Sequence, residues 1–430
     1  MFSQRNQYTT HLANPEKFVG QAKIWGGQFS HFVVLDSQGH KDKYREFDIA
    51  IATGCKHEYK PNGKDDFSGI FEFHQKHKDW IFGHLGYDLK NQIENLNSRP
   101  ENLTGFADIS FFIPEIIIFI TNGEAKVYCH NSKNGTKVIE DISSTTIEQQ
   151  NARVSQVSPT ITRDHYINTV HQLKELIRTG EIYEVNFCQQ FTCELLEGDF
   201  YSIANRLAQE SPTPFSAYYK INQSYMACAS PERFMRKIGS KLISQPIKGT
   251  ITRGNSAVED QDNVKLLQNN TKEIAENVMI VDLVRNDLSR VSIPGTVQVD
   301  ELMGIYSFAQ VHQMISTVSG NLSAKANWAQ AIKAAFPMGS MTGAPKVRAM
   351  EIIDEYESQR RGLFSGAVGY VTEQGDFDFN VIIRSIFYNQ QTKQLSFQAG
   401  GAITYDALPE SEYNETLLKV SAIKSILEKA

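Results

Sequence analysis

Strand signals and helix signals in this 430-residue chain come in separate blocks, and this constrains the fold more than any other feature of the sequence. Strict strand–helix alternation builds parallel sheets with crossover helices, whereas blocked elements build antiparallel sheets, so the chain reads as α+β. Residues 24–155 read mainly as strands and turns. Two β-branched and aromatic runs, 116–121 and 126–130, flank Asn122-Gly123, the residue pair that suits a tight hairpin turn. From about Glu140 to Pro159 the chain is rich in Ser, Thr and Gln without apolar periodicity, and reads as a linker. This gives an N-terminal region of residues 1–157, mostly strands, packing on a core of residues 158–430.

The core opens with an amphipathic helix. Thr162 and Asp164 start it, Ile167, Val170, Leu173 and Ile177 recur at helical spacing, and Gly180 stops it. Residues 181–250 read as strands, and one long helical stretch follows from about Asp260 to Leu288. Shorter helices are expected over 328–336 and 346–356. Residues 366–372, 377–388 and 395–403 read as an antiparallel meander, and 411–428 as a closing helix with Tyr413, Leu417, Val420, Ile423 and Leu427 along one side.

Charge and cysteine usage narrow the partners. Lys and Arg total 43 against 49 Asp and Glu, a net charge of −6, which argues against a nucleic-acid or anionic-membrane partner. The five cysteines are scattered and form no CxxC pair, so neither a zinc knuckle nor a disulfide framework is suggested. The first twenty residues lack an apolar signal segment, and the run 109–120 is broken by Pro114 and Glu115 and too short to span a bilayer. The expectation is a soluble, cytoplasmic protein. GxGxxG before a helix, GxxxxGK[ST], HExxH and GxSxG are all missing, so nucleotide, zinc-protease and serine-hydrolase readings have no motif.

Four clusters carry chemistry. Glu273 and Glu276 stand at i, i+3 on one helix, and Glu415 lies on another, four residues before Lys419. Carboxylates from two helices suit a hard cation such as Mg²⁺; equally, such residues cover solvated helix faces. The segment from Phe336 to Lys346 (FPMGSMTGAPK) is a Gly/Ser/Thr loop running into a helix, offering N–H groups and hydroxyls to an anion, or simply a turn. Ser230-Pro-Glu-Arg233 makes a corner after a strand, and Gln245-Pro-Ile-Lys-Gly-Thr250 sets Lys248 in an apolar, Gly-flanked segment.

Together these segments resemble the chorismate-utilising enzymes. The resemblance rests on SPERF (230–234), PIKGT (246–250), KEIAENVMIVDLVRNDLSRV (272–291), VHQMISTVSGNL (311–322), SMTGAPK (340–346), GAVGY (366–370), Ile383-Arg384 and AGGAI (399–403). These eight matches fall in order, and GYDL at 86–89 adds a weak N-terminal one. The fold it implies is α+β: large antiparallel β-sheets packed face to face with helices outside. Family members that add water use a lysine base where this chain has Glu184, so isochorismate and salicylate formation are disfavoured. Anthranilate synthases carry PIAGT and remain the alternative. The C4-aminating members share PIKGT with this chain.

The resemblance implies roles, residue by residue. Lys248 would be a nucleophile adding at C2 of chorismate, which needs it neutral; burial near Mg²⁺ would depress its pKa. Glu232 would be the general acid for the departing C4 hydroxyl, with a raised pKa. Glu276 and Glu415, with Glu273 beside them, would hold Mg²⁺. Thr250, His312, Ser340, Tyr370, Arg384 and Lys419 would surround the substrate, Arg384 pairing with the enolpyruvyl carboxylate. Gly400 and Gly401 would permit close backbone approach. Ammonia would be free or come from a separate glutamine amidotransferase subunit. Four residues depart from the family pattern: Glu184 for Gln, Met338 for Gly, Ala402 for Gly and Leu418 for Asn.

Overall fold

The computed structural model describes residues 5–94, 96–97, 102–130, 134–147 and 151–428. Two antiparallel sheets face one another, with helices on their outer surfaces. The larger sheet orders its main strands Arg5–His11, Glu124–His130, Ile116–Thr121, Ile49–Thr53, His31–Asp36, Phe215–Ile221, Ser224–Ser230, Ser385–Asn389, Gln394–Ile403 and Glu184–Glu197. The second runs Ile247–Thr252, Val311–Asn321, Lys241–Gln245, Arg233–Ile238, Phe377–Asn380, Ala367–Val371, Ile81–Leu85, Ile109–Ile113 and His57–Glu58. Strands from both sides of residue 157 therefore share each sheet.

Period-two alternation decides which residues meet between the sheets. Val33, Ala50, Ala52 and Ile117 of the first sheet pack inward against Phe82, Phe112, Val368 and Tyr370 of the second. Their neighbours Phe32, Val34, Ile51, Ile116 and Ile118 point outward into a core closed by the helices Pro15–Gly26, Phe200–Glu210 and Pro409–Glu428. Ile81 and Leu85 likewise face the helices Asp66–His77, Thr271–Ser289 and Trp328–Ala335. The hairpin at Asn122-Gly123 forms as expected, with Thr121 opposite Glu124 and both turn residues at positive φ.

Several expected elements come out differently. The linker carries the helix Gly135–Ser144 and short strands Arg153–Val154 and Ser158–Pro159; residues 148–150 lie outside the described residues. That helix is held by two buried apolar residues, Val138 and Ile142, too few to register as periodicity. The helix Phe200–Glu210 interrupts the expected strand block, N-capped by Asp199. The stretch 260–288 is two helices, Ala257–Asn269 and Thr271–Ser289. Asn270 leaves helical dihedrals there and caps the second helix, its side chain accepting from the N–H groups of Lys272 and Glu273. The meander is split: Phe377–Asn380 belongs to the second sheet and Ser385–Asn389 to the first. The chain crosses between sheets at residues 381–384, and Arg384 takes φ of 51° at the crossing. A side chain in that left-handed region is strained and persists only where the surroundings hold it. Among the described residues no helix is long and apolar enough to cross a membrane.

Candidate active site

Distant segments bring Glu184, Glu232, Lys248, Glu276, Ser340 and Arg384 into one polar cluster. The corner after Ser224–Ser230 places Glu232, 4% exposed, with its Oε1 accepting a 2.7 Å hydrogen bond from Ser340 Oγ. Burial pushes the Glu232 carboxyl up to about 7, against the opposing pull of Ser340, the Ile247 backbone, Lys248 and Arg384. The direction of this shift is the one the sequence reading expects of Glu232. Met338, 4% exposed, sits at φ −59° and ψ 134°, a conformation open to any residue, so the loop needs no glycine there.

Lys248 lies on the strand Ile247–Thr252 with its Nζ 2.6 Å from Glu184 Oε1 and 3.9 Å from Glu276 Oε2. Burial alone would lower its pKa, as the sequence reading expects. The charges of Glu184, Glu276 and Glu232 outweigh burial and hold it above the ordinary value. The expected depression belongs to a lysine beside bound Mg²⁺; in the protein alone the net pull on Lys248 is upward, and Glu184, where the family has a neutral Gln, is the first of the charges that raise it. Glu184 is 1% exposed, and its second oxygen, Oε2, has no hydrogen-bond partner.

The Arg384 guanidinium makes no hydrogen bond or ion pair among the described residues, although its backbone carbonyl accepts from Ala229 N–H at 3.2 Å, and Glu232 is the charge that acts on it. A half-buried guanidinium without a partner at a sheet-to-sheet crossing is suited to an incoming carboxylate. Thr250 is exposed at the rim. Lys419 donates to Gly400 O at 2.8 Å and pairs with Glu415 at 2.9 Å. Gly401 opens toward the Pro409–Glu428 helix: a Cβ there would lie 3.4 Å from Glu412 and 3.8 Å from both Glu415 and Lys419. Gly400 instead permits close strand packing, since a Cβ would stand 2.0 Å from Phe187 O. The close approach it allows is to the Glu184–Glu197 strand.

Two expected site residues stand elsewhere. His312 is held at 2.9 Å by Asp260 and at 2.8 Å by Ser307, on the opposite face of its strand from Thr250. Its neighbour Gln313 pairs with Thr250 in register and donates weakly to its hydroxyl at 3.4 Å, while Gln313 Oε1 is buried without a partner. Sequence reasoning passed over Gln313, which only the strand pairing sets opposite Thr250. Tyr370 donates nothing to the cluster. Arg236 binds its hydroxyl at 2.9 Å and its ring stacks on Trp80, beside a separate cavity of about 70 Å³ that Arg233 and Asp378 also line.

Of the carboxylates expected at a metal, Glu276 stands 3.9 Å from Lys248. Burial raises Glu276 to about 7, with Glu184 and Glu273 adding to the rise and Lys248 and Lys272 opposing it. Glu273 is also raised, by burial first and then by Glu415. Glu412, which the sequence reading passed over, is 5% exposed and stands 3.8 Å from Lys272. Among the described residues no set of three His, Cys, Asp or Glu stands close enough to hold a metal as arranged. The donors nevertheless fit a hard cation in kind. All are carboxylate oxygens, Glu273 adds to the rise of Glu276 and Glu415 to that of Glu273, while Lys419, Lys272 and Lys248 outweigh burial to hold Glu415 itself below its ordinary value; Glu276 Oε1 is buried with no hydrogen-bond partner.

Fold and site together define a class. The chain belongs to the chorismate binding enzymes, a family whose pattern it matches over residues 21–425. It is 36% identical over 349 residues to aminodeoxychorismate synthase component 1 of Escherichia coli K12, an alignment covering 81% of this chain and 76% of that protein. It is 33% identical over 362 residues to anthranilate synthase component 1 of Saccharolobus solfataricus, covering 84% of this chain and 82% of that one. Anthranilate synthase component I from Streptococcus pneumoniae superposes with a TM-score of 0.74 at 25% identity, over 90% of this chain and 94% of that one.

Proposed function

We propose that the chain is the chorismate-aminating component of an aminodeoxychorismate synthase, converting chorismate and ammonia to 4-amino-4-deoxychorismate. One observation carries the reading. A buried carboxyl raised to about 7, Glu232, feels the charges of a largely buried lysine, Lys248, and of an Arg384 guanidinium without a hydrogen-bond partner. Acid, nucleophile and carboxylate receptor are the three groups that replacement of an allylic hydroxyl with retained configuration requires.

In this reading Arg384 takes the enolpyruvyl carboxylate. Lys248 gives its proton to Glu184, 2.6 Å away, and its Nζ forms a bond to C2. The ring double bond shifts as the C4–O bond breaks, and the hydroxyl leaves as water with the proton of Glu232. Ammonia then bonds to C4, the double bond shifts back, the C2–Nζ bond breaks, and Glu232 takes up the surplus ammonia proton. Glu276 and Glu415, with Glu273 or Glu412, would hold Mg²⁺, which when bound would neutralise the ring carboxylate. Ammonia would arrive free or from a separate glutamine amidotransferase, with no nucleic acid or membrane as partner.

The test is product identity. Purified protein with chorismate, Mg²⁺ and ammonium is expected to yield 4-amino-4-deoxychorismate; anthranilate as the main product would overturn the reading in favour of the tryptophan branch. For the metal, Glu276→Gln is expected to weaken Mg²⁺ binding by tenfold or more, of the order that loss of a ligating carboxylate produces. Calorimetric titration without substrate reads this directly, and unchanged affinity would remove Glu276 from the ligand set.

A further inference from the structure

Arg361 lies outside every motif singled out in the sequence, yet its guanidinium is 2% exposed and uses all its donor directions. Nε and Nη2 form a fork on Glu357, at 2.9 and 2.6 Å. Nη2 also donates to Asn186 O at 2.9 Å, and Nη1 to Met341 O at 2.6 Å. Its planar group rests 4.6 Å from the ring of Tyr87. Glu357 in turn accepts from the backbone N–H of Cys188 at 2.9 Å.

These bonds join two segments that have no sequence relation. Asn186 and Cys188 belong to the strand that carries Glu184; Met341 follows Ser340, whose hydroxyl faces Glu232. The same two segments are also stitched by Asn186 Nδ2 to Ser340 O at 3.0 Å and Asn186 N–H to Thr342 O at 2.8 Å. A single planar fork that binds one carboxylate and two carbonyls fixes relative position in a way a point charge cannot.

We propose that Arg361 is a positioning residue for the acid step: it locks the 338–342 loop against the Glu184–Glu197 strand and so holds the Ser340 hydroxyl on Glu232. This rests on Glu232 acting as the acid, but the geometry it concerns is readable without turnover. The Ser340 bond favours the charged carboxylate, so losing it raises the Glu232 pKa further.

The charge-conserving variant Arg361→Lys isolates geometry from field. Titration of the Glu232 carboxyl by infrared difference spectroscopy, assigned against Glu232→Gln, is the direct readout. Ser340→Ala should move it upward by about one pH unit. Arg361→Lys should produce much of the same shift, and the double variant no more than Ser340→Ala alone. Glu357→Gln, which keeps the shape and loses the charged fork, provides a second route should Arg361→Lys fail to fold, and is expected to shift the titration the same way. An unchanged Glu232 titration in a folded Arg361→Lys or Glu357→Gln protein overturns the proposal, as does an additive shift in the double variant. If the titration shifts as stated while the pH dependence of turnover does not follow it, the positioning role stands and the assignment of Glu232 as the acid fails.

Discussion

Glu232→Gln is expected to lower kcat/KM for chorismate by about 10²- to 10⁴-fold, the usual contribution of a positioned general acid, with little change in KM. The amide keeps the shape and accepts from Ser340, but it has no proton to give the departing hydroxyl. The sign of the pH dependence follows from burial. Glu232 is held up to about 7, so the proton-bearing form is complete below that value and is lost as pH rises through it. Wild-type kcat/KM should carry a falling limb near pH 7 that the glutamine variant lacks. A loss of less than tenfold, or a limb that persists in the variant, would exclude Glu232 as the acid.

Lys248→Ala is expected to suppress 4-amino-4-deoxychorismate formation by at least 10²-fold and to divert residual turnover toward the 2-amino product, since ammonia can then reach C2 directly. In the unaltered protein without ammonia, intact mass should show an adduct of chorismate minus water on Lys248, absent after Glu232→Gln. Attack requires the neutral amine, and Lys248 is held above its ordinary pKa, so adduct formation rises with pH. Glu184→Gln removes the partner at 2.6 Å, lowers the lysine pKa, and should move that rising limb down by about one unit or more. The productive state needs Lys248 neutral and Glu232 protonated, and the two limbs belong to the coupled pair. Wild-type rates in Lys248→Ala with no adduct in the parent protein would eliminate the covalent route while leaving the family untouched.

The difference between His312 and Gln313 shows where sequence reasoning stops. Both lie in one motif, and nothing in their chemistry says which faces the pocket. Strand pairing answers it: Gln313 stands opposite Thr250 and His312 opposite Ile251, so His312 turns to Asp260. A one-residue change in register exchanges the two faces of a strand. This strand pair carries an irregularity between Ile247 and Thr250 that residue spacing does not reveal. The surroundings of Tyr370 were hidden for a related reason: its motif marks a strand, but that its hydroxyl meets Arg236 depends on how strands distant in sequence pair and pack.

The sequence by itself determined the antiparallel α+β architecture, the hairpin at Asn122-Gly123, the family, and the presence of Glu232, Ser340, Lys248 and Arg384 in motifs that imply acid, nucleophile and anion receptor. These are local or pattern-borne properties, written in alternation, capping and residue type. Only the tertiary structure decided the charge state of Lys248, the partnering of Ser340 with Glu232, and the binding of two site segments by Arg361. The Glu184–Lys248, Glu232–Ser340 and Asn186–Arg361 pairs lie 64, 108 and 175 residues apart in the chain. Burial and opposing charge acting across such separations set a side chain's protonation and aim, and both arise only when the sheets close on one another.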